Sequence, residues 1–251
     1  MICLFIIIDI MNTHYDIDLH THTVSSGHGS HDTVTDLVRE AKKRGLKVIG
    51  ISDHGPATPG SAVCSYFRNI SLAQRRRFDI EVLYGVELNI LDKKGHVDLE
   101  EDILEGLDYA FISMHNQTYR AGSPEDNTEA YISAMNHKKV RFLGHPEDGN
   151  FPVNYERLLR TARDKGVYPE LNNASLGHDC NYRRDAYTNS KQILDICKRL
   201  ELPVLLSSDS HGIAGIGNFQ YALKLIEDMD FPGELILNGS LDRMRKVIGF
   251  V

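Results

Sequence analysis

The chain has 251 residues, of which 41% are hydrophobic, enough for one large domain with a sizeable core. Its net charge of −7 at pH 7 argues against a nucleic-acid-binding surface, because such a surface is normally basic. The apolar run at residues 1–10 is far shorter than the roughly 20 residues of a membrane-spanning helix, and it lacks the basic start of a signal peptide. We therefore expect neither a nucleic-acid partner nor a membrane association.

The four cysteines have no CxxC pair and no regular spacing, which favours free thiols and predicts a reducing, cytoplasmic location. They are Cys3, Cys64, Cys180 and Cys197. Residues 1–13 are predicted to be an N-terminal extension of a single domain spanning 1–251, because the first strand begins near Tyr15. Met1 and Met11 both stay open as the true start, and the sequence leaves the oligomeric state open.

Apolar patterning predicts strands and helices that alternate along the chain, without a linker or an internal repeat. The predicted strands lie at 15–19, 46–51, 80–86, 108–114, 140–143, 167–171 and 203–206. The predicted helices lie at 33–44, around 75–77, at 128–135, 155–162, 193–197, 219–226 and 241–247. This alternation predicts an α/β fold with parallel strands and crossover helices. Seven such units suggest a closed barrel, and an open doubly wound sheet is the alternative.

Almost every predicted strand ends on a residue type that binds metal ions. His20 and His22 end the first strand two residues apart, so both point to one face and can reach the same ion. In α/β barrels the carboxyl ends of the strands share one face, where active sites lie. The candidates that would converge there are His20, His22, His28, His54, Glu87, His115, His145, Asp209 and His211.

These candidates offer nitrogen and oxygen ligands and no cysteine, a set that suits zinc, iron or manganese. A catalytic zinc takes about three protein ligands and a water, so the set is too large for one ion and fits three. Clustered ions clamp the attacking and leaving oxygens of a phosphate ester. The residues therefore predict a metal-dependent hydrolase, and phosphate ester hydrolysis is the chemistry that most needs this arrangement.

Six motifs carry these candidates in a fixed order along the chain. They are His20-Thr21-His22, Ser52-Asp53-His54, Gly85-Val86-Glu87, His115, Gly144-His145-Pro146 and Ser208-Asp209-Ser210-His211. Together they resemble the PHP (polymerase and histidinol phosphatase) superfamily, and they look closest to its stand-alone YcdX-like phosphatases. The resemblance covers nearly the whole chain from Asp16. It implies a distorted (β/α)7 barrel with a trinuclear metal centre, usually of zinc.

The resemblance also implies how the ligands are shared among three divalent ions. The three groups are His20, His22, Glu87 and Asp209; then Glu87, His115 and His145; then His28, His54 and His211. The catalytic role falls on the first group, and Glu87 bridges two ions. His31 lies three residues after His28 and competes with it, but the family spacing favours His28.

Three residues near these motifs have candidate supporting roles. Arg183 and Arg184 follow the sixth strand and are candidate substrate-binding residues, because a guanidinium fork suits phosphate oxygens. A solvated loop is the competing interpretation of this pair. Asp53 precedes His54 and is a candidate to orient a metal ligand rather than to bind metal itself.

The sequence thus predicts a phosphatase that hydrolyses a phosphomonoester of a small molecule with metal-activated water. The expected partner is a small phosphorylated substrate, and the expected cofactors are three divalent ions. An amidohydrolase-like enzyme is one alternative, but that class usually keeps a lysine between its metals, and no predicted strand ends in lysine. A non-catalytic metal-binding PHP module is the other alternative, and the loss of ligands that would support it is not seen.

Overall fold

The structure is a computed structural model that describes residues 15–249. The predicted extension 1–13, both candidate start residues and Cys3 lie outside this range. The strands are β1 Ile17–Asp18, β2 Thr21–His22, β3 Val48–Ile51, β4 Arg76–Arg77, β5 Ile80–Tyr84, β6 Val86–Asn89, β7 Ala110–Ser113, β8 Val140–Leu143, β9 Tyr168–Asn172, β10 Leu205–Ser207 and β11 Ser210–His211. The helices are α1 Val34–Lys43, α2 Cys64–Ile70, α3 Glu101–Gly106, α4 Pro124–Ala134, α5 Tyr155–Lys165, α6 Ala186–Leu200, α7 Gln220–Asp228 and α8 Leu241–Ile248.

The parallel strands form a closed ring. One run joins β1, β3 and β5, a second joins β6 through β10 in chain order, and β11 pairs in parallel with β2. Gly85 alone separates β5 from β6, and a bridge between His54 and Glu87 connects the first run to the second. With β1 and β2, β5 and β6, and β10 and β11 each counted as one line, the ring has seven positions. The predicted α/β fold with a distorted seven-unit barrel is confirmed.

Asn238 connects the first and last strands at the place where the ring closes, which we call the seam. Its side-chain nitrogen donates to the carbonyl oxygens of Ile17 (2.8 Å) and Leu206 (2.9 Å), and its oxygen accepts from the Leu206 N–H (2.8 Å). Buried backbone polar groups need partners, and here one buried side chain supplies them to β1 and β10. The first and last strands of the barrel are therefore joined by an amide side chain as well as by the β2–β11 pair.

Local chemistry explains where the helices begin. Thr33 and Asp36 form a capping box at the start of α1, and Gly45 follows the helix with a φ of 81°. Helix α4 starts at Pro124, after the cap Ser123, rather than near residue 128 as the sequence predicted. The first turn of this helix is polar, so the apolar pattern of the sequence does not indicate where the helix begins.

The helix predicted around residues 75–77 is wrong. Arg76–Arg77 is strand β4, paired antiparallel with β5 through a two-residue turn at Phe78 and Asp79. Both turn residues have positive φ, 50° and 66°, as a tight hairpin of this kind requires. Neither is glycine or asparagine, so the usual sequence signal for the turn is missing.

A cluster of buried apolar side chains lies inside the barrel, beneath the carboxyl ends of its strands. The rings of Tyr109, Phe111 and Phe142 pack together, and the Phe111 ring lies 4.4 Å from the ring of His20. Met244 and Ile248 of α8 belong to the same buried cluster. Within residues 15–249, no helix has both the length and the apolar character needed to cross a membrane.

Candidate metal centre

The barrel brings the predicted ligands together at the carboxyl ends of its strands. Three overlapping groups each hold ligand atoms within 4.8 Å of one another. They are His20 with His22 and Asp209; His22 with His54 and His211; and His54 with Glu87 and His115. Because His22 and His54 each belong to two groups, the residues form one continuous cluster rather than three separate sites.

Many ligand atoms in this cluster are buried and make no hydrogen bond. They are His20 Nε2, His22 Nε2, both ring nitrogens of His54, Glu87 Oε2, His115 Nε2, His145 Nδ1 and His211 Nε2. The large majority of buried side-chain polar atoms in proteins have such a partner, so the concentration of these unpartnered atoms in one place needs an explanation. Imidazole nitrogens and carboxylate oxygens are ligands for divalent transition metals. The residues present therefore fit bound metal ions.

In three of these histidines, the other ring nitrogen contacts a polar side chain that is not a candidate metal ligand. The contacts are His20 Nδ1 with Glu170 Oε1 (2.5 Å), His22 Nδ1 with Ser26 Oγ (2.9 Å) and His115 Nδ1 with Asn89 Oδ1 (2.7 Å). An acceptor at Nδ1 keeps a proton there and leaves the Nε2 lone pair for a metal. Sequence reasoning missed Glu170 and Asn89, although a carboxylate inside the buried strand β9 was a usable signal.

Glu87 lies at the middle of the cluster. One carboxylate oxygen, Oε2, is 2.6 Å from His54 Nδ1, 3.4 Å from His20 Nε2 and 3.6 Å from His22 Nε2. The other oxygen, Oε1, is 2.8 Å from His145 Nε2 and 3.2 Å from His115 Nε2. The two oxygens thus face different histidines, which is the geometry of a carboxylate between two cations.

The charges of the cluster favour metal ligation. Burial opposes ionisation of Glu87, but His54, His115 and His20 outweigh it and hold its pKa well below the usual value. Burial likewise opposes ionisation of Asp209, yet His20 and Arg183 outweigh it and lower that pKa. Burial, with help from neighbouring histidines, lowers the pKa of His22. Ionised carboxylates and a neutral imidazole are the forms that bind metals.

His20 differs from His22 in its charge environment. Burial alone would lower its pKa, but the carboxylates of Glu170, Asp209 and Glu87 outweigh burial and raise it well above the usual value. These carboxylates therefore favour the protonated form of His20, and an ion bound at its Nε2 would have to displace that proton.

His28 reaches the cluster from an exposed loop. Its ring lies 4.8 Å from the His54 ring and 5.0 Å from the His211 ring. His31 is exposed and is not among the described residues that line the adjoining cavity. The structure therefore brings His28, and not His31, to His54 and His211, while its role as a metal ligand stays a prediction.

Two glycines let this loop approach the cluster. Gly27 and Gly29 have φ values of 82° and 72°, a region that favours glycine. A Cβ on Gly27 would lie 2.1 Å from the carbonyl carbon of Gly60, and one on Gly29 would lie 2.8 Å from the His211 ring. Only glycine fits at both positions, so the loop that carries His28 is held close to the site.

A cavity of about 600 Å³ opens above the cluster. Its wall includes the candidate ligands His28, His54, His115, His145, Asp209 and His211, whereas Glu87, His20 and His22 lie beneath. This volume is in the range of small-molecule sites. The cavity therefore gives a small substrate direct access to the metal-binding residues.

The two candidate substrate-binding arginines differ in their exposure and in their contacts. The Arg183 side chain is only 9% exposed, lines the cavity, and donates to Asp209 Oδ2 (2.8 Å) and Ser175 Oγ (2.6 Å). A solvated position is therefore wrong for it. The Arg184 side chain is 70% exposed and pairs with Asp185, where the chain turns with a φ of 55° into α6. Arg184 is not among the described residues that line the cavity, so the structure brings only Arg183 to it.

Comparison with known proteins agrees with this architecture. Residues 18–174, more than half of the chain, match the family described as PHP domain. The chain belongs to the PHP family. A "probable phosphatase" of Clostridium acetobutylicum is 39% identical over 224 residues, 89% of this chain and 90% of that protein. Another from Caldanaerobacter subterraneus is 36% identical over 233 residues, 92% of this chain and 90% of that protein.

A solved structure shows the same PHP-family fold. Histidinol phosphate phosphatase from Lactococcus lactis, complexed with zinc, L-histidinol and phosphate, matches with a TM-score of 0.60 and 19% identity. The match covers 87% of this chain and 95% of that chain. The predicted family and enzyme class, a probable phosphatase of the PHP family, are confirmed.

Proposed function

We propose that this PHP-family protein hydrolyses a phosphomonoester of a small molecule at a centre of three divalent cations. Zinc is our first choice of metal, with manganese or iron as alternatives. The observation that carries the proposal is the continuous cluster of buried ligand atoms without hydrogen bonds, directly beneath a cavity of about 600 Å³. Bound cations would supply Lewis acidity toward phosphoryl oxygens and lower the pKa of a water molecule.

We assign the residues to three metal positions as the family pattern implies. His20, His22 and Asp209 would hold the first ion, and the short distance from His22 Nε2 to Asp209 Oδ1 (3.2 Å) supports this grouping. His115 and His145 would hold the second, because both face Glu87 Oε1. The third position would take His28, His54 and His211. Glu87 would serve the first two ions, and its charge would offset their mutual repulsion.

Arg183 would bind a non-bridging phosphate oxygen. A guanidinium has five N–H donors, and among residues 15–249 the acceptors Asp209 and Ser175 take two of them. Its place in the cavity wall leaves it next to the metal-binding residues. The salt bridge to Asp209 fixes the orientation of the guanidinium, so less side-chain freedom is lost when substrate binds.

The two alternative functions, an amidohydrolase-like enzyme and a non-catalytic metal-binding module, have weaker support. Among the residues that the structure describes, no lysine lines the cavity, so a lysine-bridged amidohydrolase centre has no candidate residue. A non-catalytic module would not need an open cavity above its potential metal-binding groups, and this chain has both the cavity and the groups.

Metal analysis combined with a substrate pair tests the proposal. Protein prepared without chelator should contain more than two metal equivalents, and chelated protein should regain activity when Zn or Mn is added. An aryl phosphate should be cleaved faster than the matching bis-aryl diester, because a monoester leaves more oxygens for the cations to hold. One equivalent or fewer after reconstitution, or a consistent preference for the diester, contradicts the proposal.

A further inference from the structure

Asp53 accepts four hydrogen bonds, although it is not one of the candidate metal ligands. It is buried just after β3, and its carboxylate accepts from Thr23 N–H (2.6 Å), Thr23 Oγ1 (2.8 Å), Ser26 Oγ (2.7 Å) and Tyr66 Oη (2.5 Å). None of these donors is a candidate metal ligand. The carboxylate therefore acts on its surroundings through hydrogen bonds rather than through a cation.

The hydrogen bonds of Ser26 determine where the proton of His22 lies. A serine hydroxyl has one proton and two lone pairs. The proton of Ser26 goes to Asp53 Oδ1, because a carboxylate can only accept. One lone pair accepts from the backbone N–H of His54 (3.2 Å), and the other faces His22 Nδ1 at 2.9 Å. His22 Nδ1 must therefore be the protonated nitrogen, and its Nε2 carries the lone pair.

We propose that Asp53 is a positioning residue that sets the tautomer of His22 through Ser26. This inference rests on the metal centre of the proposed function. The tautomer of His22 has to be controlled because its Nε2 lies 3.2 Å from Asp209 Oδ1 and 3.6 Å from Glu87 Oε2. Before metal binds, these carboxylates favour a proton on Nε2, and that proton would block ligation. Asp53 opposes this effect from the other side of the ring.

Two substitutions of Asp53 should differ sharply. In Asp53→Asn the carbonyl oxygen stays at the Oδ1 position, because the Thr23 N–H facing it can only donate. The amide nitrogen then faces the hydroxyls of Thr23 and Tyr66, which can rotate to accept, and Ser26 still donates as before. In Asp53→Ala the Ser26 hydroxyl is free to donate to His22 Nδ1, which moves the proton to Nε2.

The decisive measurement is ¹⁵N NMR of the imidazole rings in metal-free protein, with a competition titration of zinc affinity. We expect the Nδ1–H form of His22 in the wild type and in Asp53→Asn, and the Nε2–H form in Asp53→Ala. Zinc affinity should fall about 10–100-fold in Asp53→Ala and stay within about threefold in Asp53→Asn. An Nε2–H form in the wild type, or an Asp53→Ala protein that matches the wild type in both readouts, overturns the proposal.

A matched control separates positioning from general destabilisation. Asp108 is also buried and accepts from the Tyr84 N–H (2.7 Å), but it lies at the opposite, amino-terminal end of β7. Asp108→Ala should lower stability and leave both the His22 tautomer and zinc affinity unchanged; a change in either as large as that in Asp53→Ala overturns the proposal.

A second variant covers the case in which Asp53→Ala does not fold. Ser26→Ala removes the acceptor of His22 Nδ1 and should likewise shift the tautomer to Nε2–H; retention of the Nδ1–H form overturns the proposal. The NMR readout needs neither metal nor turnover. A protein with the expected tautomers and no phosphatase activity refutes the proposed function alone, and an active phosphatase with the opposite tautomers refutes this inference alone.

Discussion

The metal cluster has a buried half and an open half that are held in different ways. His20, His22 and Glu87 are fully buried: His22 and Glu87 lie on β2 and β6, and His20 directly precedes β2. Fixed acceptors, Glu170 for His20 and Ser26 for His22, contact the Nδ1 atoms of the two histidines. His28 lies on an exposed loop, and its approach depends on glycines. Rigid strands and completed hydrogen bonds preorganise a ligand, whereas a loop loses freedom when it binds. We therefore expect the buried half to hold metal more tightly than the open half.

The largest effect should come from the centre of the buried half. Glu87→Gln keeps the size of the side chain and removes the charge that lies between the cations. We expect loss of at least one metal equivalent and a fall in activity of more than about 100-fold, with the barrel still folded because its apolar core is unchanged. Elemental analysis and circular dichroism check this. Full metal content with full turnover would mean that another residue bridges the ions.

Substitutions in the open half should change metal content and activity less. Of two neighbouring histidines there, only one should matter. His28→Ala should lower metal content by up to one equivalent and reduce activity, because His28 is the residue near His54 and His211. His31→Ala is the matched control and should change neither quantity. Metal titration of both variants beside the wild type gives the answer, and the reverse result would place the third ligand at His31.

Arg183 connects the two halves, because it pairs with Asp209 and lines the cavity. Arg183→Gln should raise KM for an aryl phosphate about tenfold through the loss of a charge-assisted contact to phosphate. Arg184→Gln removes the same charge one residue later, where the side chain is exposed, and should leave KM unchanged. Steady-state kinetics of the pair decide the matter. Equal KM values for both variants argue against phosphate binding by Arg183.

The last prediction concerns stability rather than activity, and it contrasts two buried glutamates. Burial raises the pKa of Glu147 to about 8, against the pull of Arg183, whereas histidines lower that of Glu87. The folded protein therefore keeps a proton on Glu147 that the unfolded chain releases near its ordinary pKa of 4.5. The free energy of unfolding should fall as pH rises between these values. Glu147→Gln should flatten this fall in urea titrations, and an unchanged slope would contradict it.

Most of the strands, and the residues that converge at their carboxyl ends, could be predicted from the sequence, because both depend on local pattern and on the shared carboxyl face of a barrel. Apart from Asp53, the residues that support the histidines could not be assigned to particular partners. Glu170 and Asn89 act on histidines far away in the chain, so their roles appear only once the strands are neighbours. The burial of Arg183 likewise depends on Asp209, 26 residues away. Helices α2 and α3 are short and begin without a side-chain cap, so neither leaves a strong local signal.

The seam at Asn238 ties assembly of the metal centre to the order in which the chain is synthesised. Asp18 and Ser208, which are hydrogen-bonded across the closing strands, are 190 residues apart. Contacts of such long separation form late, because the entropy of closing the loop has to be overcome first. A nascent chain released only as far as β9 has His20 and His22 but lacks Asp209 and His211. We therefore expect tight metal binding only after β10 and β11 have left the ribosome and completed the barrel.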